Sequence, residues 1–247
     1  MRIIDVHQHF GLWPFSMGWD AEKVIKHLRK VGVEMAIGSS PEALCYDFRI
    51  GNEEVRRIVE RHEELLGYVV LNPNYPELSL KELEKYRKNP RFIGVKIHPD
   101  YHRQPLDSEN YIMIYEQIER VGWPVLSHTN PGDPPRVRNI VERFKNLIFI
   151  MGHAGTGGLS GYYKGFREAA KLAGEKTNIY LEISTMPQTR IIENFVAVAG
   201  SEKVIFGSDF PLDCPSFMYP MVTEANITNE DKEKILHLNA ERLFKLL

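Results

Sequence analysis

The sequence predicts an α/β protein, a single (β/α)8 TIM barrel over residues 1–247, and three observations carry that expectation. Short β-rich apolar runs recur along the chain at intervals of about 29 residues, the length of one strand–helix–strand unit. Each run is followed by a charged stretch with helical spacing. The runs themselves are nearly continuous Val, Ile, Leu and Phe, as strands must be when helices cover one face and a barrel core fills the other.

The eight runs, in order, are RIIDVH, EMAIGS, LGYVVLN, FIGVKIH, PVLSHT, LIFIMGH, IYLEIS and KVIFGSD. Between them, Asp20 before AEKVIKHLRKVG and Asn52 before EEVRRIVERHEE have the side chains of N-caps. Ser79 is expected to cap LKELEKYRKN, with Pro90 as its stop. Ser108 opens ENYIMIYEQIERV, whose Ile112, Ile114, Ile118 and Val121 form an apolar face and whose C-cap is Gly122. The tail from Asn229 to Leu247 reads as one or two closing helices, the second capped by Asn239. An open doubly wound sheet is the rival architecture, but no glycine-rich phosphate loop follows the first strand. No linker, charge block or low-complexity segment divides the chain, so one domain is expected.

Composition narrows the class of function. Apolar residues at 43% and charged residues at 26% describe a folded globular chain. A formal net charge of −2 provides no field for phosphate backbones, so no nucleic-acid partner is expected. The opening MRIIDVHQHF contains no secretory segment, and no apolar run approaches a membrane span, so a cytoplasmic protein without membrane contact is expected. Cys45 and Cys214 lack a metal or redox spacing and read as free thiols. The expected partner is a small-molecule substrate, with a homodimer left open.

Barrel active sites form where strands end at their C-terminal face. Of nine histidines, His7, His9, His98, His128 and His153 fall at predicted strand ends, and Asp209 ends the last run. His27, His62 and His237 lie in charged helical segments and His102 in a loop, where solvated side chains are expected. Strict alternation along the first strand would put Asp5, His7 and His9 on one face. Any one of these histidines alone is as readily a packed core group or a cap. Several imidazoles with a carboxylate suit Zn, Mn, Fe or Co better than Mg or Ca.

In these pieces the chain resembles the amidohydrolase superfamily, in particular its amidohydrolase-2 branch of metal-dependent hydrolases and aminocarboxymuconate-semialdehyde decarboxylase-like lyases. The matching pieces are Asp5-x-His7-x-His9, Gly94 to Pro99, His128 after Pro124 to Ser127, Gly152 to Gly155, Gly207 to Pro211 and Asn239 to Phe244. The resemblance implies one divalent metal, Zn foremost, held by His7, His9, His128 and Asp209, with His153 beside it handling protons or orienting an oxyanion. A cation bound by imidazoles lowers the pKa of its water toward ~7. Asp209 could then both ligate and take the water's proton.

Lys96 carries two readings. In binuclear relatives a strand-four lysine is carbamylated and bridges two metals; in this branch it stays an amine that pairs with a substrate carboxylate or with Asp209, and the second reading ranks first. His98, one step higher on the same face, is expected to touch substrate or to pack under the Pro99 turn. Asp5 is expected to orient the ligands from below. The loop from Phe10 to Trp19, with Trp13, Phe15 and Trp19, and the loop from Pro41 to Gly51, with Tyr46 and Arg49, should overhang the mouth and line a substrate pocket. Arg49, Arg103 and Arg136 are candidates to grip an acid, or are merely solvated.

The leading expectation is hydrolysis of an amide, ester or lactone bond in a small metabolite, with or without a carboxylate. Non-oxidative decarboxylation on the same scaffold is the alternative. A TatD-like deoxyribonuclease ranks lower because Lys96 stands where that family presents a glutamate, and a non-catalytic metal-binding barrel ranks lower because every expected ligand is present.

Overall fold

The computed structural model describes residues 1–13, 20–158 and 165–246. Eight parallel strands follow one another around the sheet in chain order: β1 (Ile4–His9), β2 (Met35–Ser39), β3 (Leu65–Val70), β4 (Phe92–Ile97), β5 (Val125–His128), β6 (Phe149–Gly152), β7 (Ile179–Glu182) and β8 (Val204–Ile205). The last is only two residues long, yet the ring closes. Backbone bonds from Val6 N to Phe206 O (3.1 Å), Asp209 N to His7 O (2.8 Å) and His9 N to Phe210 O (2.8 Å) join the first strand to the segment that continues β8.

The connections carry α1 (Ala21–Lys30), α2 (Pro41–Cys45), α3 (Phe48–Val59), α4 (Pro76–Tyr86), α5 (Pro99–His102), α6 (Glu109–Val121) and α7 (Pro134–Arg143). They continue with α8 (Phe166–Glu175), α9 (Thr189–Ala199), α10 (Pro215–Thr223), α11 (Asn229–Glu233) and α12 (Asn239–Phe244). Among the described residues no helix is long and apolar enough to cross a membrane. One buried layer, with Val24, Val55, Leu83, Ile114, Ile140 and Phe195, lies between helices and sheet. A second fills the barrel floor: Ile4, Val6, Ile37, Leu66, Tyr68, Leu126, Ile150 and Ile205 meet Leu243 and Phe244 of α12. This plug leaves only the opposite, C-terminal end of the strands free for a cavity.

Local signals fare unevenly. Asp20 caps α1 by accepting from Lys23 N, Ser108 caps α6, and Gly122 ends α6 at φ +75°, a conformation glycine adopts without a Cβ clash. Asn52 does not start a helix. Helix α3 begins four residues earlier behind Asp47, and Asn52 is buried inside it, where its amide both accepts from Val70 N (2.8 Å) and donates to Val70 O (3.0 Å). Ser79 likewise lies inside α4, which begins at Pro76, and its hydroxyl ties to Asn72. Asn239 caps nothing, because a π-helical turn over Lys234–Leu238 leads straight into α12; its amide donates to Ser201 O and Val204 O, each at 2.8 Å. His102 is buried rather than solvated and meets the Tyr111 hydroxyl at 2.8 Å. In each case a tertiary partner uses the polar side chain that a local rule assigned to a helix end or to water.

Asn52 bridges α3 to the end of β3, so Asn52→Ala leaves a buried N–H and a buried carbonyl unpaired. A stability loss of about 3 kcal/mol is expected, read as a lower urea midpoint. A midpoint equal to the parent's would show that the bridge contributes nothing.

Candidate metal centre and active-site cavity

Strand β1 does not alternate simply. Ile4 and Val6 both enter the barrel floor, and the register against β2 shifts between Asp5 and Gln8. This bulge turns His7 and His9 into the mouth and takes Asp5 off their face. Asp5 instead accepts from Gln8 Nε2 (2.6 Å), His7 N and Ser208 N (both 3.1 Å), tying β1 to the turn before Asp209. It therefore shapes the backbone that bears the candidate ligands and does not support them from below. Burial pushes its carboxyl up to about 7.

His7 Nδ1 lies 2.8 Å from Glu182 Oε2. A carboxylate accepts, so Nδ1 donates and the Nε2 lone pair faces the cavity. That Nε2 is 3.3 Å from Asp209 Oδ1 and 2.6 Å from Lys96 Nζ; His9 Nε2 is 2.9 Å from the same Asp209 oxygen. Burial, with Lys96 beside it, holds His7 well below its ordinary range, and burial lowers His9. Burial alone would raise Asp209, but His7, His9 and His153 hold it well below the usual carboxylate range. The result is neutral imidazoles around one anion, the donor set that fits a divalent cation of intermediate softness.

Two triads bring their ligand atoms within 4.8 Å of one another among the described residues: His7, His9 and Asp209, and His7, His153 and Glu182. His128 belongs to neither. It ends β5 with Nε2 3.4 Å from Asp100 Oδ2 and its ring stacked on His98 at 4.1 Å. Of the four expected ligands, His7, His9 and Asp209 converge, while His128 lines the same cavity turned to a different carboxylate.

Glu182, absent from the sequence expectations, is the hub. It also accepts from His153 N (3.1 Å), Ser184 N (2.5 Å) and Ser184 Oγ (2.9 Å). Ser184 Oγ in turn lies 2.9 Å from His153 Nδ1; with its own proton given to Glu182 it accepts there, which leaves His153 Nε2 as a lone pair. Glycine at 207 makes room for this contact, since a Cβ there would stand 2.3 Å from Glu182 Oε1 and 2.8 Å from the His7 Cβ. The readable signal was an acid at the C-terminal end of the apolar run IYLEIS. Both His153 (φ +56°) and Asp209 (φ +59°) occupy the left-handed region, turned out of their strands toward the cavity.

Lys96 is buried at the cavity floor, where burial pulls its amine down to about 8 against the opposing pull of Asp209 and Glu182. Above it, seven rings follow one another around the cavity and close on themselves. The centroid steps are His7–His9 5.4 Å, His9–Trp13 4.8 Å, Trp13–Tyr101 6.0 Å, Tyr101–His98 4.2 Å, His98–His128 4.1 Å, His128–His153 4.8 Å and His153–His7 5.1 Å. They surround about 430 Å³, with Asp100 and Asp213 also on the wall. Tyr46 and Arg49 do not reach it. Tyr46 is exposed, and Arg49 is engaged at the start of α3 by Asp47 at 2.8 Å. Arg103 and Arg136 flank a separate depression, where Arg136 pairs with Asp133 at 3.2 Å. Phe15 and Trp19 lie outside the described residues.

Residues 4–246 match the family described as Amidohydrolase. Among curated proteins, gamma-resorcylate decarboxylase of Polaromonas sp. (strain JS666 / ATCC BAA-500) is 21% identical over 91% of this chain and 83% of its own length. Among solved structures, 2,6-dihydroxybenzoate decarboxylase complexed with 2,6-dihydroxybenzoate superposes with a TM-score of 0.78 at 17% identity, covering 99% of both chains. The dihydroxybenzoic acid decarboxylase of Polaromonas sp. JS666, with bound manganese and 2-nitroresorcinol, gives 0.76 at 19% identity over 99% of this chain and 97% of that one.

Glu182→Gln keeps the volume but offers an amide N–H to His7 Nδ1, which would move the His7 proton onto Nε2 and remove its lone pair. A ~10–100-fold loss of affinity for Zn and Mn is expected, measured by chelator competition on folded protein. Unchanged affinity would remove Glu182 from the metal's support.

Proposed function

The chain belongs to the amidohydrolase family, in its amidohydrolase-2 branch, and from that premise we propose that it is a metal-dependent enzyme that removes carbon dioxide from a small aromatic carboxylic acid without oxidation. The observation that carries this reading is the closed belt of seven rings above one buried ammonium and one carboxylate. A flat ring substrate can lie against imidazole, indole and phenol faces on every side, and its carboxylate finds a cation at the floor. Hydrolysis of an amide, ester or lactone takes second place. The three relatives described above are decarboxylases named for, or bound to, hydroxylated benzoates or a resorcinol.

His7, His9 and Asp209 would hold the cation, with His128 as a fourth ligand once released from Asp100. Manganese in a relative and the mixed nitrogen and oxygen donors support a divalent ion without selecting zinc. When bound, the ion supplies a Lewis acid for a substrate oxygen. The protein's own groups divide the remaining work. The aromatic belt fixes the ring and excludes water, and Lys96 sets the carboxylate over the floor. His153, with Nε2 open to the cavity, takes a proton from a ring hydroxyl and raises electron density at the carbon that loses the carboxylate. That electron-rich carbon takes a proton that Asp209 relays from the Lys96 ammonium, the carbon–carbon bonding pair returns to the ring as carbon dioxide departs, and His153 gives its proton back to the phenolate oxygen.

Incubation of the metal-loaded protein with hydroxybenzoates should release carbon dioxide and the matching phenol. Cleavage of esters or lactones, with no gas from any hydroxybenzoate, would overturn the proposal in favour of hydrolysis. Asp209→Asn keeps the shape but cannot carry a proton, so release should slow by roughly two to four orders of magnitude; a parental rate would remove Asp209 from the chemistry. Because Lys96 acts as the ammonium, turnover should fall as pH rises through about 8 or somewhat lower, since a cation beside His7 pushes the amine further down. Lys96→Met should lose that alkaline limb together with most of its activity.

A further inference from the structure

Away from the cavity lining, α1 and the start of α10 bring a thiol and an imidazole together. His27 Nε2 stands 3.2 Å from Cys214 Sγ, and Ser216 Oγ approaches the same sulfur at 2.9 Å. The His27 ring is held flat against Phe210, with centroids 4.6 Å apart and planes 4° from parallel. Burial, with Lys30 nearby, keeps His27 below its ordinary range, so it meets the sulfur as a neutral base. A nucleophile, a base within hydrogen-bond reach and a group that orients the base form the constellation that activates thiols. The other cysteine supplies the contrast. Cys45 is also half-buried, but burial and the Glu42 carboxylate push its thiol up to about 11.

We propose that Cys214 and His27 form a hydroperoxide-reactive pair, a modification site that the decarboxylation chemistry does not use. The thiol proton passes to His27 Nε2, and the sulfur attacks one oxygen of the peroxide. The S–O bond forms as the O–O bond breaks, and the departing hydroxide leaves as water with the proton from His27. Sulfur loses two electrons and the peroxide gains them, giving a sulfenic acid and one water. Ser216 Oγ steadies the developing thiolate, and two equivalents of a small thiol return the cysteine through a mixed disulfide.

The test uses the full chain loaded with zinc, which takes no part in redox chemistry. Hydrogen peroxide is added with dimedone, and the labelled peptides are followed by mass. Cys214 should be labelled at least about tenfold faster than Cys45, with the Cys214 label absent in Cys214→Ser. His27→Gln removes the base, and His27→Phe removes it while keeping a ring against Phe210; each should slow labelling at least about tenfold, and either suffices if the other fails to fold. Equal labelling of the two cysteines, or a parental rate in a folded His27 variant, would overturn the proposal.

Discussion

A buried carboxylate that accepts from His7 on β1 and from the backbone N–H groups of His153 and Ser184 fixes three parts of the barrel mouth to one another. Glu182 thereby does two things at once. It sets the His7 tautomer so that a lone pair points inward, and through Ser184 it sets the His153 tautomer the same way. Neither imidazole could be aimed by its own strand alone, because a histidine ring turns freely about its last bond until its second nitrogen is engaged. The contact is possible only because position 207, on the strand between them, has no side chain.

The same crowding dictates the charge state of the site. Five imidazoles within ring contact cannot all carry protons, since each charge would raise the cost of the next. Burial removes the difficulty by holding His7, His9, His98 and His153 neutral, which leaves the Asp209 and Glu182 carboxylates opposed to the Lys96 ammonium. Neutral imidazoles then serve both as lone-pair donors and as aromatic walls. A site built this way gains little stability of its own, and the folding energy comes from the apolar floor and the helix–sheet layer beneath it.

How far the sequence could be read follows from how local each signal is. The strand runs and the histidines that end them were legible because parallel strands are buried on both faces and barrel sites gather at strand ends. Asp20, Ser108 and Gly122 were legible because a cap is a contact between near neighbours. Asn52, Ser79 and Asn239 were not, since each is committed to a backbone far along the chain or beyond the turn that precedes it. The bulge in β1 has no signature in a run as short as IIDVHQH, so the face of Asp5 was misassigned. Tyr46 and Arg49 were placed at the mouth by loop position alone, whereas Asp100 and Tyr101, which do reach it, lie on the short helix after β4. The partnership of His128 with Asp100 was out of reach because it joins the end of β5 to the short helix after β4, a contact between elements distant in sequence.

The distinction between local and distant determinants also bears on what the site transforms. The floor residues His7, His9, Lys96 and Asp209 sit on or just beyond strands whose geometry the family scaffold fixes. Such a floor serves hydrolysis and decarboxylation alike, because both need a polarised oxygen and a group that moves a proton. What differs is the volume above it. A hydrolase must admit water to the reacting carbon, whereas loss of carbon dioxide requires a ring held in place and a proton delivered from the protein. In this chain the wall above the floor is made of Trp13, Tyr101 and the stacked His98 and His128. A closed run of ring faces offers broad contact to a planar substrate, and that contact is what supports the aromatic acid proposed above.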